Sequence, residues 1–205
     1  MTGIVLAGGR SARFGRDKLS VPDRGRPLLH HAVSAVGACC EEVLVAVAPG
    51  RDPADPVVDP EALAGLVRGR ARVVRDPAEG GGPLVGVRTG LEAAATDVAL
   101  VVGGDMPDLV PAVLDDLLER LSIGHAAAVA LDDGAGVRPL PAAVRTAPAL
   151  AAARELLARG EGSLRALLRA LDVLAVDRET WARLDPDAAT LRDVDRPADR
   201  DRGGG

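Results

Sequence analysis

The sequence predicts an α/β fold built from βαβ units around a mostly parallel sheet. Short apolar runs of strand length alternate with amphipathic stretches of helical period along most of its 205 residues. Gly-rich turns leave the ends of several of these runs. The most apolar run, Asp97 to Val102, has the continuous hydrophobicity of a strand covered on both faces, and so belongs at the sheet centre.

Taken in order, Gly3 to Leu6 reads as a first buried strand, followed by a Gly/Arg loop to about Lys18. Pro27 to Ala38 reads as a helix with proline at its start, where a missing N–H costs nothing. Val43 to Ala48 is a second strand, Arg51 to Pro60 a loop rich in Asp and Pro, and a short helix starts at Glu61. Arg72 to Arg75 is a third strand, and Asp76 to Pro83 turns into a helix over Leu84 to Ala95. After the strand at Asp97 to Val102 come a helix at Val110 to Leu121 and strands at Ala126 to Leu131 and Leu140 to Val144. Helices at Pro148 to Arg159 and Ser163 to Leu171 are split by Gly160-Glu161-Gly162, and Val173 to Val176 is the last main strand. Thr190-Leu191-Arg192 carries a final strand signal. Neither an internal repeat nor a linker interrupts the pattern, so residues 1–198 are expected to form one domain and 199–205 a disordered tail.

Composition excludes several function classes. A net charge of −5 and an aromatic content of 1% leave neither a basic footprint nor a base-stacking platform for nucleic acid. No apolar run approaches the roughly 18 residues that span a bilayer, and Gly8-Gly9-Arg10 cuts the first run too early for a signal peptide. The expected location is the cytoplasm. Cys39 and Cys40 are adjacent and read as reduced thiols near the end of the first helix. Lys18 is the single lysine beside 24 arginines. An ammonium is a compact point charge that a guanidinium fork does not always replace, although a leftover lysine on a solvated loop fits the composition equally well.

Four motifs bear on chemistry. Leu6-Ala7-Gly8-Gly9-Arg10-Ser11-Ala12-Arg13-Phe14-Gly15-Arg16-Asp17-Lys18 leaves the C-terminal end of the first strand, where open α/β sheets bind ligands. Its paired glycines let backbone N–H groups approach an anion, and Arg10, Arg13, Arg16 and Lys18 add positive charge, the outline of a triphosphate cradle. It is neither a Walker loop nor a GxGxxG loop, and alone it also fits a solvated basic turn. Gly103-Gly104-Asp105-Met106-Pro107 follows the strongest strand, putting a carboxylate suited to Mg²⁺ at the mouth of the same crevice. Asp105 could instead cap the helix starting near Val110. Asp108 comes after Pro107 turns the chain, so its side chain need not converge with that of Asp105.

Gly80-Gly81-Gly82-Pro83-Leu84-Val85-Gly86 leads into a helix whose N-terminal amides could face a nucleotide, or forms a plain flexible loop. In Asp193-Val194-Asp195-Arg196-Pro197, strand alternation would put Asp193 and Asp195 on one face, able to complete a metal site with Asp105. An acidic tail is the other reading.

Together, in this order and spacing, these motifs resemble the molybdenum cofactor guanylyltransferase-like nucleotidyltransferases. Pro139-Leu140-Pro141 and Gly162-Ser163-Leu164 look like weaker landmarks of that family, and the likeness covers nearly the whole chain. The resemblance implies a Rossmann-like three-layer sandwich and Mg²⁺-dependent transfer of GMP from GTP to molybdopterin, a phosphorylated small molecule. It implies that Leu6, Ala7, Gly8, Gly9, Arg13, Lys18, Gly82 and Pro83 hold the nucleotide, with Asp76 at a nucleotide-associated position. Arg13, Lys18 and Asp105 would serve catalysis, and Asp105 with Asp195 would hold the metal. The Leu-Ala-Gly-Gly run matches the guanylyl branch. The absence of asparagine after the second strand and the Asp193-Val-Asp195 run are closer to the cytidylyl branch. GTP is the expected donor. A cytidylyltransferase, a transferase to another phosphorylated acceptor such as a sugar phosphate, and a non-catalytic nucleotide-binding regulator are the alternatives.

Overall fold

The computed structural model describes residues 1–8, 18–77 and 82–194. β1 (Thr2–Ala7) opens the chain, followed by a small hairpin of β2 (Pro22–Asp23) and β3 (Arg26–Pro27), then α1 (Leu28–Cys39) and β4 (Glu42–Val47). α2 (Pro60–Ala64), β5 (Arg70–Arg75), α3 (Pro83–Ala93) and β6 (Val98–Gly103) complete the first half of the sheet. α4 (Pro111–Ile123), β7 (Ala128–Asp132), β8 (Val137–Arg145), α5 (Thr146–Ala158), α6 (Leu164–Ala170), β9 (Val173–Val176) and α7 (Arg178–Trp181) follow.

The main sheet has seven strands in the order β5-β4-β1-β6-β8-β7-β9. β8 alone runs against the others, because it pairs antiparallel with both β6 and β7 while the remaining pairs are parallel. From β1 the chain winds outward through β4 to β5, then returns to β6 on the other side of β1. That reversal opens a crevice at the carboxyl ends of β1 and β6. Val5 lies between Val45 and Val102 in register, which brings the loops after β1, β4 and β6 to one edge.

Strand alternation divides the core into two layers. Val5, Val45, Leu100 and Val102 face α1, α2 and α4, where Val33, Leu63, Leu114 and Leu117 are fully buried. Ile4, Leu6, Ala46 and Val101 face α3, α5 and α6, with Leu84, Ala149 and Leu167 packed against them. The outcome is the expected three-layer α/β sandwich. Burying each such leucine is worth about 1.5–3 kcal/mol, so both layers contribute. Trp181 anchors α7, 1% exposed, with its indole N–H donating to the Asp132 carbonyl at 2.8 Å.

Three local expectations are corrected. Thr190-Leu191-Arg192 is no strand: Ala189–Leu191 form a 3-10 turn because the buried Asp185 carboxylate accepts from the Ala189 and Thr190 amides and curls the chain there. The β2–β3 hairpin was not foreseen; its turn places Arg24 (φ 46°) and Gly25 (φ 80°) both in the left-handed region, the demand of a type I′ turn. Finally, Asp105 caps no helix. α4 starts at Pro111, and the Val110 amide at its cap is met by the Thr190 hydroxyl at 3.1 Å.

Candidate active site

The crevice is built from backbone first. Leu6 and Ala7 are buried side chains at the end of β1, one in each core layer, so what they offer a ligand is main chain. Gly8 is exposed where β1 ends. Across the switch point the Gly104 amide donates to the Leu6 carbonyl at 3.0 Å, stitching the loop after β6 to the end of β1. A Cβ on Gly104 would stand 3.0 Å from both that carbonyl and Leu29 Cδ1, a crowding that glycine avoids.

Asp105 follows directly. Its carboxylate binds Lys18, Nζ to Oδ2 at 2.6 Å, with the two side chains 19% and 26% exposed. The lone lysine is therefore neither a solvated leftover nor remote from the strand end. Lys18 opens a short 3-10 turn, Lys18–Ser20, whose buried Leu19 anchors it in the core. The chain then runs through Val21, which packs with Leu28 and Val194. The Val194 amide donates to the Asp105 carbonyl at 3.0 Å, so the C-terminal segment lies along the Asp105 loop. Asp193 is exposed beside it. Because 192–194 are not a strand, the alternation invoked for Asp193 and Asp195 does not operate there.

A second polar center lies on the other side of β1. The Asp76 amide donates to the Val47 carbonyl at 3.0 Å, which continues the β4–β5 pairing one step and turns the side chain inward. A Cβ on Gly8 would stand 3.6 Å from both Asp76 Oδ2 and the Ala48 amide nitrogen, and one on Gly86 of α3 would stand 4.0 Å from the same oxygen. Among the described residues, neither the buried Asp76 Oδ1 nor the hydroxyl oxygen of Thr89 on α3 has a hydrogen-bond partner. Burial raises the Asp76 pKa above the usual carboxylate range, against the opposing pull of the Thr89 hydroxyl and the Arg88 charge. A half-buried carboxylate with one oxygen left open suits a ligand that brings N–H groups.

Gly82 (φ 70°) leads into Pro83, the first residue of α3. A Cβ on Gly82 would stand 2.8 Å from the Gly162 carbonyl, and the Leu84 amide donates to that carbonyl at 3.2 Å. The Gly160-Glu161-Gly162 break between α5 and α6 thus supports the start of α3. Gly82 and Pro83 are both exposed. Gly9, Arg10, Arg13, Arg16, Gly80, Gly81, Asp195 and the tail 199–205 lie outside the described residues.

The remaining singled-out groups are structural. His30 and His31 lie on α1 and meet the carbonyls of Val57 and Asp23. Cys39 and Cys40 end that helix unbridged, and burial pushes both thiols up to about 12, leaving them protonated and unreactive. Sequence reasoning missed the role of Asp108, which binds Arg24 through Oδ1 and Arg192 through Oδ2, each at 2.8 Å. The Arg24-Gly25 turn signal could have revealed the hairpin that delivers one of those arginines.

A divalent cation fits this donor set in part. Mg²⁺ needs only one or two protein carboxylates when substrate phosphates supply further oxygens. Among the described residues no group of three or more acidic, His or Cys side chains is poised to cage a metal. Asp105, already compensated by a cation, is a carboxylate that could exchange that partner for a metal.

Comparison with known proteins agrees with the geometry. The MobA-like NTP transferase domain family matches residues 3–176. A probable molybdenum cofactor guanylyltransferase of Chloroflexus aggregans is 37% identical over 203 residues, covering 97% of this chain and 91% of that protein. One from Mycobacterium avium is 37% identical over 177 residues, covering 84% and 82%. In fold, the chain is similar to molybdopterin-guanine dinucleotide biosynthesis protein A of Archaeoglobus fulgidus (TM-score 0.77, 21% identity, 98% and 96% covered). It is also similar to a 4-diphosphocytidyl-2C-methyl-D-erythritol synthase of Anaerococcus prevotii (TM-score 0.71, 15% identity, 98% and 94% covered). By its sequence and by the crevice that its sheet builds, the chain belongs to the MobA-like NTP transferases, a family of nucleotidyltransferases.

Proposed function

We propose that this protein transfers GMP from GTP to molybdopterin, releasing pyrophosphate, with Mg²⁺ as its metal. The observation that carries the reading is the Lys18–Asp105 pair at the β1/β6 switch point, one cation and one carboxylate at 2.6 Å. The names of the curated relatives supply the substrates.

An acceptor phosphate is already ionised at neutral pH, so no general base is needed and catalysis is positioning and charge neutralisation. An acceptor phosphate oxygen attacks the α-phosphorus in line, a new P–O bond forms, and the α–β bridging oxygen leaves with pyrophosphate. Asp105 would hold Mg²⁺, with Asp195 as the expected second carboxylate, and the ion when bound neutralises the reacting phosphate oxygens. Lys18, freed from Asp105, pairs with the departing pyrophosphate, aided by Arg13 from the loop after β1. The Gly8 main chain and the α3 start at Gly82-Pro83 face the phosphates. Asp76 accepts from the N–H edge of guanine, an edge on which cytosine offers fewer donors. This chemistry, with no helix among the described residues long and apolar enough to cross a membrane, fits a cytoplasmic enzyme working without nucleic acid.

CTP is the second reading, favoured by the absence of asparagine after β4, near Ala46 to Ala48, and by the Asp193-Val-Asp195 run. Side-by-side titration of GTP, CTP, ATP and UTP with Mg²⁺, read by thermal shift, distinguishes them. GTP is expected to bind about tenfold tighter than CTP, the scale of one good base-edge contact. Equal affinities or a CTP preference would overturn the guanylyl assignment.

A further inference from the structure

We propose that Asp108 is a positioning residue for Asp105: by holding Arg24 with one oxygen and Arg192 with the other, it clamps the β2–β3 hairpin and the C-terminal segment onto the loop that carries the metal-holding carboxylate. The inference rests on reading Asp105 as that carboxylate.

The clamp joins three parts of the chain that are distant in sequence. Arg24 sits at the tip of the I′ turn, and its guanidinium reaches Asp108 Oδ1 at 2.8 Å, Asp23 Oδ2 at 2.7 Å and the Pro107 carbonyl at 3.3 Å. Arg192 reaches Asp108 Oδ2 at 2.8 Å from the other side. The Asp108 side chain is 17% exposed, whereas those of Arg24 and Arg192 are 56% and 40% exposed. One shielded carboxylate thus organises two outer cations.

A lone surface pair would contribute little to stability. The consequence here is geometric. Arg192 immediately precedes Asp193 and Val194, and the Val194 amide is what holds the Asp105 carbonyl. Gly104 fixes the inner side of the Asp105 loop to β1, so the outer side depends on that one amide and on the contacts that keep residues 192–194 in place. Among the described residues those contacts include the Val21–Leu28–Val194 cluster, the Arg192 amide donating to the Ala189 carbonyl at 3.0 Å, and the Arg192–Asp108 pair. Val21 and Leu28 flank the hairpin that Arg24 ties to Asp108, and the Leu28 amide donates to the Val21 carbonyl at 3.1 Å. Breaking the clamp therefore loosens the outer side of the Asp105 loop without touching Lys18 or Asp105.

The test uses Asp108→Asn, Arg192→Ala and their double variant in the full chain, with Mn²⁺ as the probe. Mn²⁺ binding is followed by electron paramagnetic resonance in the presence of GTP without acceptor, and hydrogen exchange is followed at the Val194 amide. Either single variant is expected to bind Mn²⁺ about tenfold more weakly, as when partners that orient a metal ligand are lost. The double variant should be no worse than the weaker single one, and Val194 should exchange faster in all three. Arg192 contacts Asp108 through a single nitrogen, so Arg192→Lys should restore binding close to wild type. Should Asp108→Asn fail to fold, the more exposed Arg192 variants decide. Unchanged Mn²⁺ affinity in the single variants, additive losses in the double, or no rescue by lysine would each overturn the clamp. Wild-type protein that takes up no Mn²⁺ would instead overturn the metal reading of Asp105, a result that needs no variant.

Discussion

Two carboxylates stand at strand ends on either side of β1, and they are held in opposite ways. Asp105, after β6, has its counter-ion at 2.6 Å, its backbone carbonyl bound by Val194, and a loop glycine stitched to β1. Asp76, after β5, is half-buried with one oxygen unpartnered, and burial raises its pKa. The difference separates two tasks. A compensated carboxylate on a fixed loop can exchange one cation for another with little rearrangement. One with an oxygen left open is costly until a ligand brings donors to it, so its binding energy depends on what the ligand carries.

Removing Asp105 should have the largest effect. Asp105→Ala is expected to lower kcat/KM by about a thousandfold or more, some 4 kcal/mol of transition-state stabilisation. Circular dichroism should remain native, because the side chain is partly exposed and caps no helix. Activity near wild type at saturating Mg²⁺ would make the two carboxylates equivalent after all.

Lys18→Arg keeps the charge but replaces a point contact with a fork in a space where the lysine side chain is 19% exposed. We expect about a tenfold or greater loss in kcat/KM, at least 1.4 kcal/mol, measured as pyrophosphate release. Full activity would show that the Asp105 side of the comparison needs only positive charge.

Asp76→Asn should act more gently and in two directions. GTP binding should weaken about tenfold with CTP binding little changed, because the amide loses an acceptor that the guanine edge uses. Without nucleotide the variant should be slightly more stable at pH 7, by about 2 °C in Tm, the scale of relieving one awkwardly placed polar group. The sign follows from linkage. With the folded pKa raised, the native state keeps a proton that the unfolded chain has lost, so wild-type stability falls as pH rises from the usual carboxylate range through the raised value. The variant lacks that fall, and its advantage should vanish below about pH 4. A Tm difference independent of pH would remove the contrast between the two carboxylates.

The sequence by itself determined the sheet, because a strand buried on both faces must be apolar throughout and a covering helix must be apolar on one face. Val98–Gly103 and Val173–Val176 fall within a residue or two of where those patterns put them. It also marked Gly8, Lys18, Gly82 and Asp105, since strand ends, glycine turns and rare residue types are local properties, whereas Asp76 stood out only through the family resemblance. Tertiary structure alone decided the pairings. That Lys18 meets Asp105, that Thr190 caps α4, and that Asp108 joins Arg24 and Arg192, each 84 residues away along the chain, depend on which loops the strand order brings to one edge. Thr190-Leu191-Arg192 shows the limit most plainly. Its β-branched and apolar residues favour a strand, but a buried carboxylate from Asp185, invisible in that local pattern, bonds its amides and bends it away from the sheet.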